Sequence, residues 1–368
     1  MTYLDYAAST PMTKQAIAAY AEVATKIYGN PSSLHDTGGQ AASAVAWARG
    51  VIARKLGVHP DGLIFTGSGT EANILAILSL ARSEKRGRHI ITSMAEHTSV
   101  HAAMNTLESE GFEVTRLPLT AGGVIDVDML KEVIRSDTTL ISIQHVNSEI
   151  GTIQPVAKIA QLAKEHGILY HVDCVQSFCK LDVAFDTRLA DAISVSAHKV
   201  GGPKGCGAVY FNPFVRVQPV FPGVTHERGL RGGTLDTPAL VAFAVAVENY
   251  TYDMDKQWQL RKNLLHMLPE ETFQIIEGPA ESQLPNIVGI CKTGMEGQWV
   301  MLKLNEQNFH ISTGSACDIN SASGTKAILA MGKTITEARQ FFRISFGADT
   351  QVDDVVMCGE ALQMRIFK

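Results

Sequence analysis

The chain holds no pair of cysteines in CxxC spacing, and its six cysteines, at 174, 179, 206, 291, 317 and 358, stand at no metal-like spacing with histidine. Neither a disulfide framework nor a zinc site is expected, and reduced thiols are. Basic charge is also in short supply: 32 Lys and Arg against 37 Asp and Glu give a net charge of -5 at pH 7. Without an electrostatic footprint for nucleic acid, a small molecule or a protein is the expected partner. No apolar run is long enough to cross a bilayer, and the first residues, MTYLDYAA, lack the basic and apolar parts of a leader. These absences predict a cytoplasmic protein with no membrane association. Internal repeats and low-complexity tracts are missing as well.

With 368 residues the chain exceeds what one hydrophobic core normally supports, so two packed units are expected. From about residue 60 to 215, short apolar runs alternate with helix-length segments: LIFTG then TEANILAILSLARS, HIITS then TSVHAAMNTLESEG, TLISIQHV then VAKIAQLAKEHG, followed by ILYHVD, AISVSA and GAVYF. That alternation predicts an α/β fold, a mostly parallel sheet sandwiched by helices, with ligands at the carboxyl ends of its strands. Beyond GTLDTPALVAFAVAVENY the strand-like NIVGICK, FHIST and FFRISFG mix with helices. The reading is a large unit over 14–250 and a smaller α+β unit over 1–13 and 251–368.

Chemistry gathers where strands run out. LIFTGSGTEAN puts a glycine-rich turn between a strand and a helix, so Thr70 and the first N–H groups of that helix could hold a phosphate. A plain turn, or a loose GxGxxA dinucleotide fingerprint lacking its later acid, would look the same. ILYHVDCVQS places Asp173 at the end of an apolar strand with Gln176 three positions on; a helix cap or a surface ion pair is the bland alternative. AISVSAHKVGGPKGCG leads into Ser196, His198 and Lys199 and a turn that lets a ligand approach. Such a lysine can form a Schiff base with a carbonyl cofactor, and pyridoxal phosphate enzymes combine it with an acid on the ring nitrogen. His97, in AEHTSVH, could stack on that ring. Cys317 sits in HISTGSACDINSASG, among loop-forming residues, where a thiol kept for packing would be out of place and a reactive or a spare loop thiol remain the two readings.

Together these stretches resemble the cysteine desulfurases of the NifS/IscS kind, within the class V aminotransferase group of pyridoxal phosphate enzymes of fold type I. The resemblance runs through LDYAAST, YGNPSSLH, GTEAN, EHTSV, HVNSEIG, HVDCVQS, SAHK, RGGT, STGSAC and FRISFG, in that order. It implies pyridoxal 5'-phosphate as cofactor, with Lys199 as the Schiff-base lysine, Asp173 on the pyridine nitrogen, Gln176 on the ring hydroxyl and His97 stacking and moving protons. Thr70, Ser196 and His198 would hold the phosphate. Thr234 resembles the threonine that a second subunit lends to that phosphate, implying a homodimer. Asn147 and Arg343 look like the groups that bind the carboxylate of the L-cysteine substrate. Cys317 resembles the nucleophile that takes the sulfur as a persulfide, leaving alanine. Its position 26 residues before Arg343 is similar to the long-loop branch, which hands sulfur to an acceptor protein for iron–sulfur clusters or other sulfur cofactors. An aminotransferase or selenocysteine lyase would keep the same cofactor set, a transaminase having no need of the loop thiol. A non-catalytic scaffold would be expected to lack the lysine, the acid or the cysteine, all of which stand here.

Overall fold

The computed structural model describes residues 1–314 and 325–364, Phe185 by its backbone alone. Twelve strands lie among the described residues: β1 Thr2–Tyr3, β2 Leu63–Thr66, β3 His89–Ser93, β4 Glu113–Leu117, β5 Thr138–Gln144, β6 Leu169–Asp173, β7 Ala192–Ser196, β8 Gly207–Phe211, β9 Phe273–Ile276, β10 Ile287–Lys292, β11 Phe309–His310 and β12 Phe341–Ser345.

β2 to β8 form one seven-stranded sheet in the order β2-β8-β7-β6-β5-β3-β4. β4, β3, β5, β6 and β7 run parallel, and β8 pairs antiparallel with both β7 and β2. The central strands are buried on both faces, so they read as near-continuous apolar runs. On β5 all seven residues are buried, with Leu140 in the cluster beneath the helix Gly69–Ser83 and Ile141 and Ile143 in the cluster on the opposite face. The polar residues in these runs are bonded: His89 reaches Thr138 Oγ1 at 2.7 Å, and His171 reaches Ser142 and Ser194, both at 2.9 Å. Buried polar groups tolerate the interior only on such terms.

The second half builds a three-stranded antiparallel sheet, β12-β10-β9, over a separate apolar cluster that includes Leu4, Leu260, Val288, Phe342, Ile344 and Val355. The amino-terminal residues join it: β1 pairs parallel with β11, and Asp5 bridges to Ser345. From there the chain crosses to the end of β7, where Thr10 N donates to His198 O at 2.9 Å and Thr10 Oγ1 to the same oxygen at 2.8 Å. No helix of the described residues is long and apolar enough to cross a membrane, and no group of three or more His, Cys, Asp or Glu among them could hold a metal ion.

Candidate active site

Because β3, β5, β6 and β7 are parallel neighbours, their carboxyl ends open on one edge, and the segment after each delivers a pocket residue. β3 leads to His97, β5 to Ser148, β6 to Gln176, and β7 to His198 and Lys199; β2 adds Ser68, Gly69 and Thr70. Gly207 on β8 faces both Thr66 and Ser196, and a Cβ there would meet the Ser68 carbonyl carbon at 2.7 Å. Glycine is therefore required for the Ser68 turn to close against β8.

Thr70, His97, Asp173, Gln176, Ser196, His198, Lys199 and Arg343 all line this one pocket, with Asn73 and Gln144. Two expected site residues do not. Asn147 is buried, and both ends of its amide meet backbone: Oδ1 accepts from Glu149 N at 2.8 Å and Ile150 N at 3.0 Å, while Nδ2 donates to Ala95 O at 3.2 Å. Thr234 is exposed and away from the pocket wall. Cys317 lies outside the described residues.

Asp173 Oδ2 accepts from Asn73 Nδ2 at 2.7 Å and Oδ1 from Val175 N at 2.9 Å, so both oxygens are held in place. Gln176 Nε2 donates to Ala7 O at 2.8 Å, and Lys199 Nζ donates to Ala7 O and, at 2.9 Å, to Ala8 O. Burial, reinforced by the Arg343 and Lys180 charges, brings the Lys199 ammonium down to about 7. Burial and the neighbouring Lys199 charge lower His198 to about 4, so its ring is neutral. Burial also pushes Glu96 up to about 8, against the opposing bonds from Ser93 Oγ and Gln144 N.

Arg343 projects from β12 into the pocket wall. Nη2 pairs with Asp5 at 2.7 Å, Nη1 donates to Ser148 O at 2.7 Å, and Nε is buried without a hydrogen-bond partner. Asn73, Ser99 and Asp5 do not stand out as site residues in the sequence, although GTEAN, EHTSV and LDYAAST contain them; Asn73 lines the pocket itself, and Ser99 and Asp5 act on it through their neighbours.

Behind the pocket, Lys180 is buried and its Nζ donates to Gln176 O at 2.9 Å. Burial lowers it from 10.5 to about 8. A lysine depressed in the fold costs nothing above its unfolded pKa; the cost grows as pH falls and is complete below the folded value. Lys180→Met is thus expected to raise stability by about 1–3 kcal/mol below pH 8, with the gain fading towards pH 10.5, as followed by denaturant melts across that range. Equal stability of the two proteins at every pH would contradict this.

The model of the family described as aminotransferase class-V matches residues 2–357. A putative cysteine desulfurase NifS of Halalkalibacterium halodurans is 41% identical over 354 residues, 95% of this chain and 94% of that protein. Among solved structures, a NifS-like protein superposes with a TM-score of 0.89 at 31% identity, covering 98% of both chains. Another, described as SspA in complex with cysteine, gives a TM-score of 0.83 at 38% identity over 94% of this chain and 99% of that one. The chain belongs to the aminotransferase class-V family. The cysteine desulfurases of this family work with pyridoxal 5'-phosphate, and the α/β fold with its mostly parallel sheet is theirs.

The pocket fits that cofactor. Asn73 Oδ1, Gln176 Oε1, Ser196 Oγ and Arg343 Nε are all buried without a hydrogen-bond partner, and all four residues line the pocket. Orphaned polar atoms gathered around one space call for a polar ligand. At the start of the 15-residue helix Gly69–Ser83, a Cβ on Gly69 would meet Val175 Cγ2 at 2.9 Å and Ser196 Cβ at 3.2 Å, so glycine keeps open the place where an anion meets the helix N–H groups.

Proposed function

We propose that the chain is a pyridoxal phosphate-dependent cysteine desulfurase, which converts L-cysteine to L-alanine and passes the sulfur through Cys317 to an acceptor protein for iron–sulfur cluster or other sulfur-cofactor assembly. The observation that carries this is the convergence of Lys199, Asp173, Gln176, His97 and Arg343 on a single pocket whose unpartnered polar atoms face the same space.

Ser68, Gly69, Thr70, Ser196 and His198 would hold the phosphate, Asp173 the ring nitrogen, Gln176 the ring hydroxyl, and His97 the ring face. When bound, the cofactor supplies the electron sink that labilises bonds at the substrate's α-carbon. Lys199, close to neutrality, can take or give a proton at Nζ near physiological pH. The neutral His198 donates to or accepts from its neighbours without adding charge. Arg343, held from two sides by Asp5 and the Ser148 carbonyl, presents its remaining N–H groups to the substrate carboxylate. Asn147 is read as a second donor to that carboxylate, reached once its Nδ2 bond to Ala95 O opens. The Cys317 thiolate attacks the substrate sulfur: the S–S bond forms, the C–S bond breaks, and the carbon skeleton takes a proton and leaves as alanine. An acceptor protein or a thiol reductant then removes the terminal sulfur.

A homodimer belongs to this reading. Thr234 is exposed and away from its own pocket, which leaves it available to a second copy. Ile17, Tyr20, Tyr28, Leu34 and Trp47 add exposed apolar surface within the first 50 residues. A cytoplasmic setting is part of the same proposal.

The test is direct. Purified protein given L-cysteine, pyridoxal phosphate and a dithiol reductant is expected to release alanine and sulfide in equal amounts. Formation of a keto acid with no sulfide would reassign it as an aminotransferase. Arg343→Lys, which replaces a bidentate fork by a point charge, is expected to raise KM for L-cysteine by about 10- to 100-fold with a smaller change in kcat. Steady-state kinetics check this, and an unchanged KM would remove Arg343 from substrate binding.

A further inference from the structure

The hydrogen bonds around His97 fix where its proton sits. Ser99 N lies 3.1 Å from His97 Nδ1. A backbone N–H can only donate, so Nδ1 offers a lone pair there and carries no proton. Ser99 Oγ is 2.7 Å from the same nitrogen. That hydroxyl accepts from Asn73 Nδ2 at 3.0 Å, and its single proton is therefore left for His97. The amide of Asn73 has a settled orientation as well. Its Nδ2 also lies 2.7 Å from Asp173 Oδ2, and a carboxylate accepts from an amide nitrogen but repels an amide oxygen. The two protons of Asn73 Nδ2 thus run in opposite directions, one to the acid assigned to the ring nitrogen and one, through Ser99, to the histidine assigned to the ring face. Asn73 and Ser99 are 1% and 3% exposed, so bulk water does not stand in for either.

We propose that Asn73 and Ser99 are positioning residues that lock neutral His97 in the Nε2-protonated form, so that its proton exchange with the pocket takes place at Nε2 and not at Nδ1. Protonation at Nδ1 would displace the Ser99 hydroxyl proton and leave the Ser99 backbone N–H without its acceptor. The same amide that sets the histidine holds Asp173, so the orientation of the acid and the tautomer of the histidine are established by one side chain. This inference rests on the reading of His97 as the pocket's proton carrier, but the tautomer can be read without turnover.

The experiment uses the holoenzyme labelled with ¹⁵N-histidine. Long-range ¹H–¹⁵N spectra are recorded for the wild type, Ser99→Ala and Ser99→Thr, with His97 assigned through the signals lost in His97→Gln. The wild type is expected to show the Nε2–H pattern alone, and Ser99→Ala, in which only the 3.1 Å backbone bond still holds Nδ1, a measurable share of the Nδ1–H tautomer beside it. For Ser99→Ala kcat is expected to fall about tenfold with KM for L-cysteine nearly unchanged, and Ser99→Thr to restore both the pattern and the rate. Thermal melts establish that each variant is folded. A protonated Nδ1 in the wild type overturns the proposal, as does a Ser99→Ala protein that keeps the wild-type tautomer, whether or not its rate falls. If the tautomer behaves as expected while no variant makes alanine or sulfide, the desulfurase reading fails and the positioning role stands.

Discussion

Lys199→Ala is expected to abolish covalent capture of the cofactor and to lower turnover by about 10³-fold or more, because the chain loses both its amine nucleophile and a proton carrier at one atom. The physical basis is the environment of Nζ. Burial acts first and the Arg343 and Lys180 charges second, and together they outweigh the pull of Asp5 and Asp173, so the amine comes down from 10.5 to about 7. The uncharged amine is the nucleophile, and its fraction increases as pH rises through the folded pKa. Capture of pyridoxal phosphate by cofactor-free protein should therefore accelerate as pH rises through about 7 and level off above it. Borohydride reduction followed by mass spectrometry reads the outcome: the wild-type chain gains a pyridoxyl group and Lys199→Ala does not. Lys199→Arg is expected to fail in the same way, since a guanidinium stays protonated. A pyridoxyl group on the Ala variant would place the reactive amine elsewhere.

Cys317→Ala should eliminate sulfide and alanine formation, to below about one thousandth of the wild-type rate, while cofactor binding is retained. Cys174, Cys179, Cys206, Cys291 and Cys358 are all buried, and burial raises every one of their thiols; Cys179, Cys291 and Cys358 rise to about 12 and the other two further. A thiol needs its thiolate to attack sulfur, and these five are held protonated at neutral pH. That leaves Cys317 as the candidate. Incubation with L-cysteine without reductant, then mass spectrometry of peptides under non-reducing conditions, should find one extra sulfur on the peptide carrying Cys317 and none on the other five. An extra sulfur on Cys174 or Cys206, or wild-type sulfide release by Cys317→Ala, would defeat the assignment.

Much of this was legible in the sequence because the site is built where strands end. β2, β3, β5, β6, β7 and β8 are short, β-branched and apolar, and each could be read from its own residues. β4, EVTRL, could not: it is one of the sheet's two edge strands and, unlike β2, its residues are mostly half-exposed, so no apolar run announces it. Lys199, Asp173 and Gln176 stood out because they directly follow apolar runs. Asn73 and Ser99 did not, for they lie in the first two turns of helices, and only the packing of those helices across the sheet turns them towards Asp173 and His97. Asp5 is 338 residues from the arginine it pairs with, a contact that no local pattern encodes. Asn147 shows the opposite limit, since its motif was plain but its bonds to the turn that it closes were not.

The crossing of residues 5–10 from β12 to the end of β7 has a consequence for biosynthesis. Asp5 and Ala7 find Arg343 and Ser345 only after a further 338 residues have been made. At about 5–20 residues per second, the leading segment waits roughly 20–70 s on the ribosome before its partners emerge. Late in that interval the seven-stranded sheet, whose last strand ends at Phe211, can assemble while Arg343 does not yet exist. The pocket is therefore among the last parts of the molecule to be finished, and a nascent chain released early would carry the sheet without a working site.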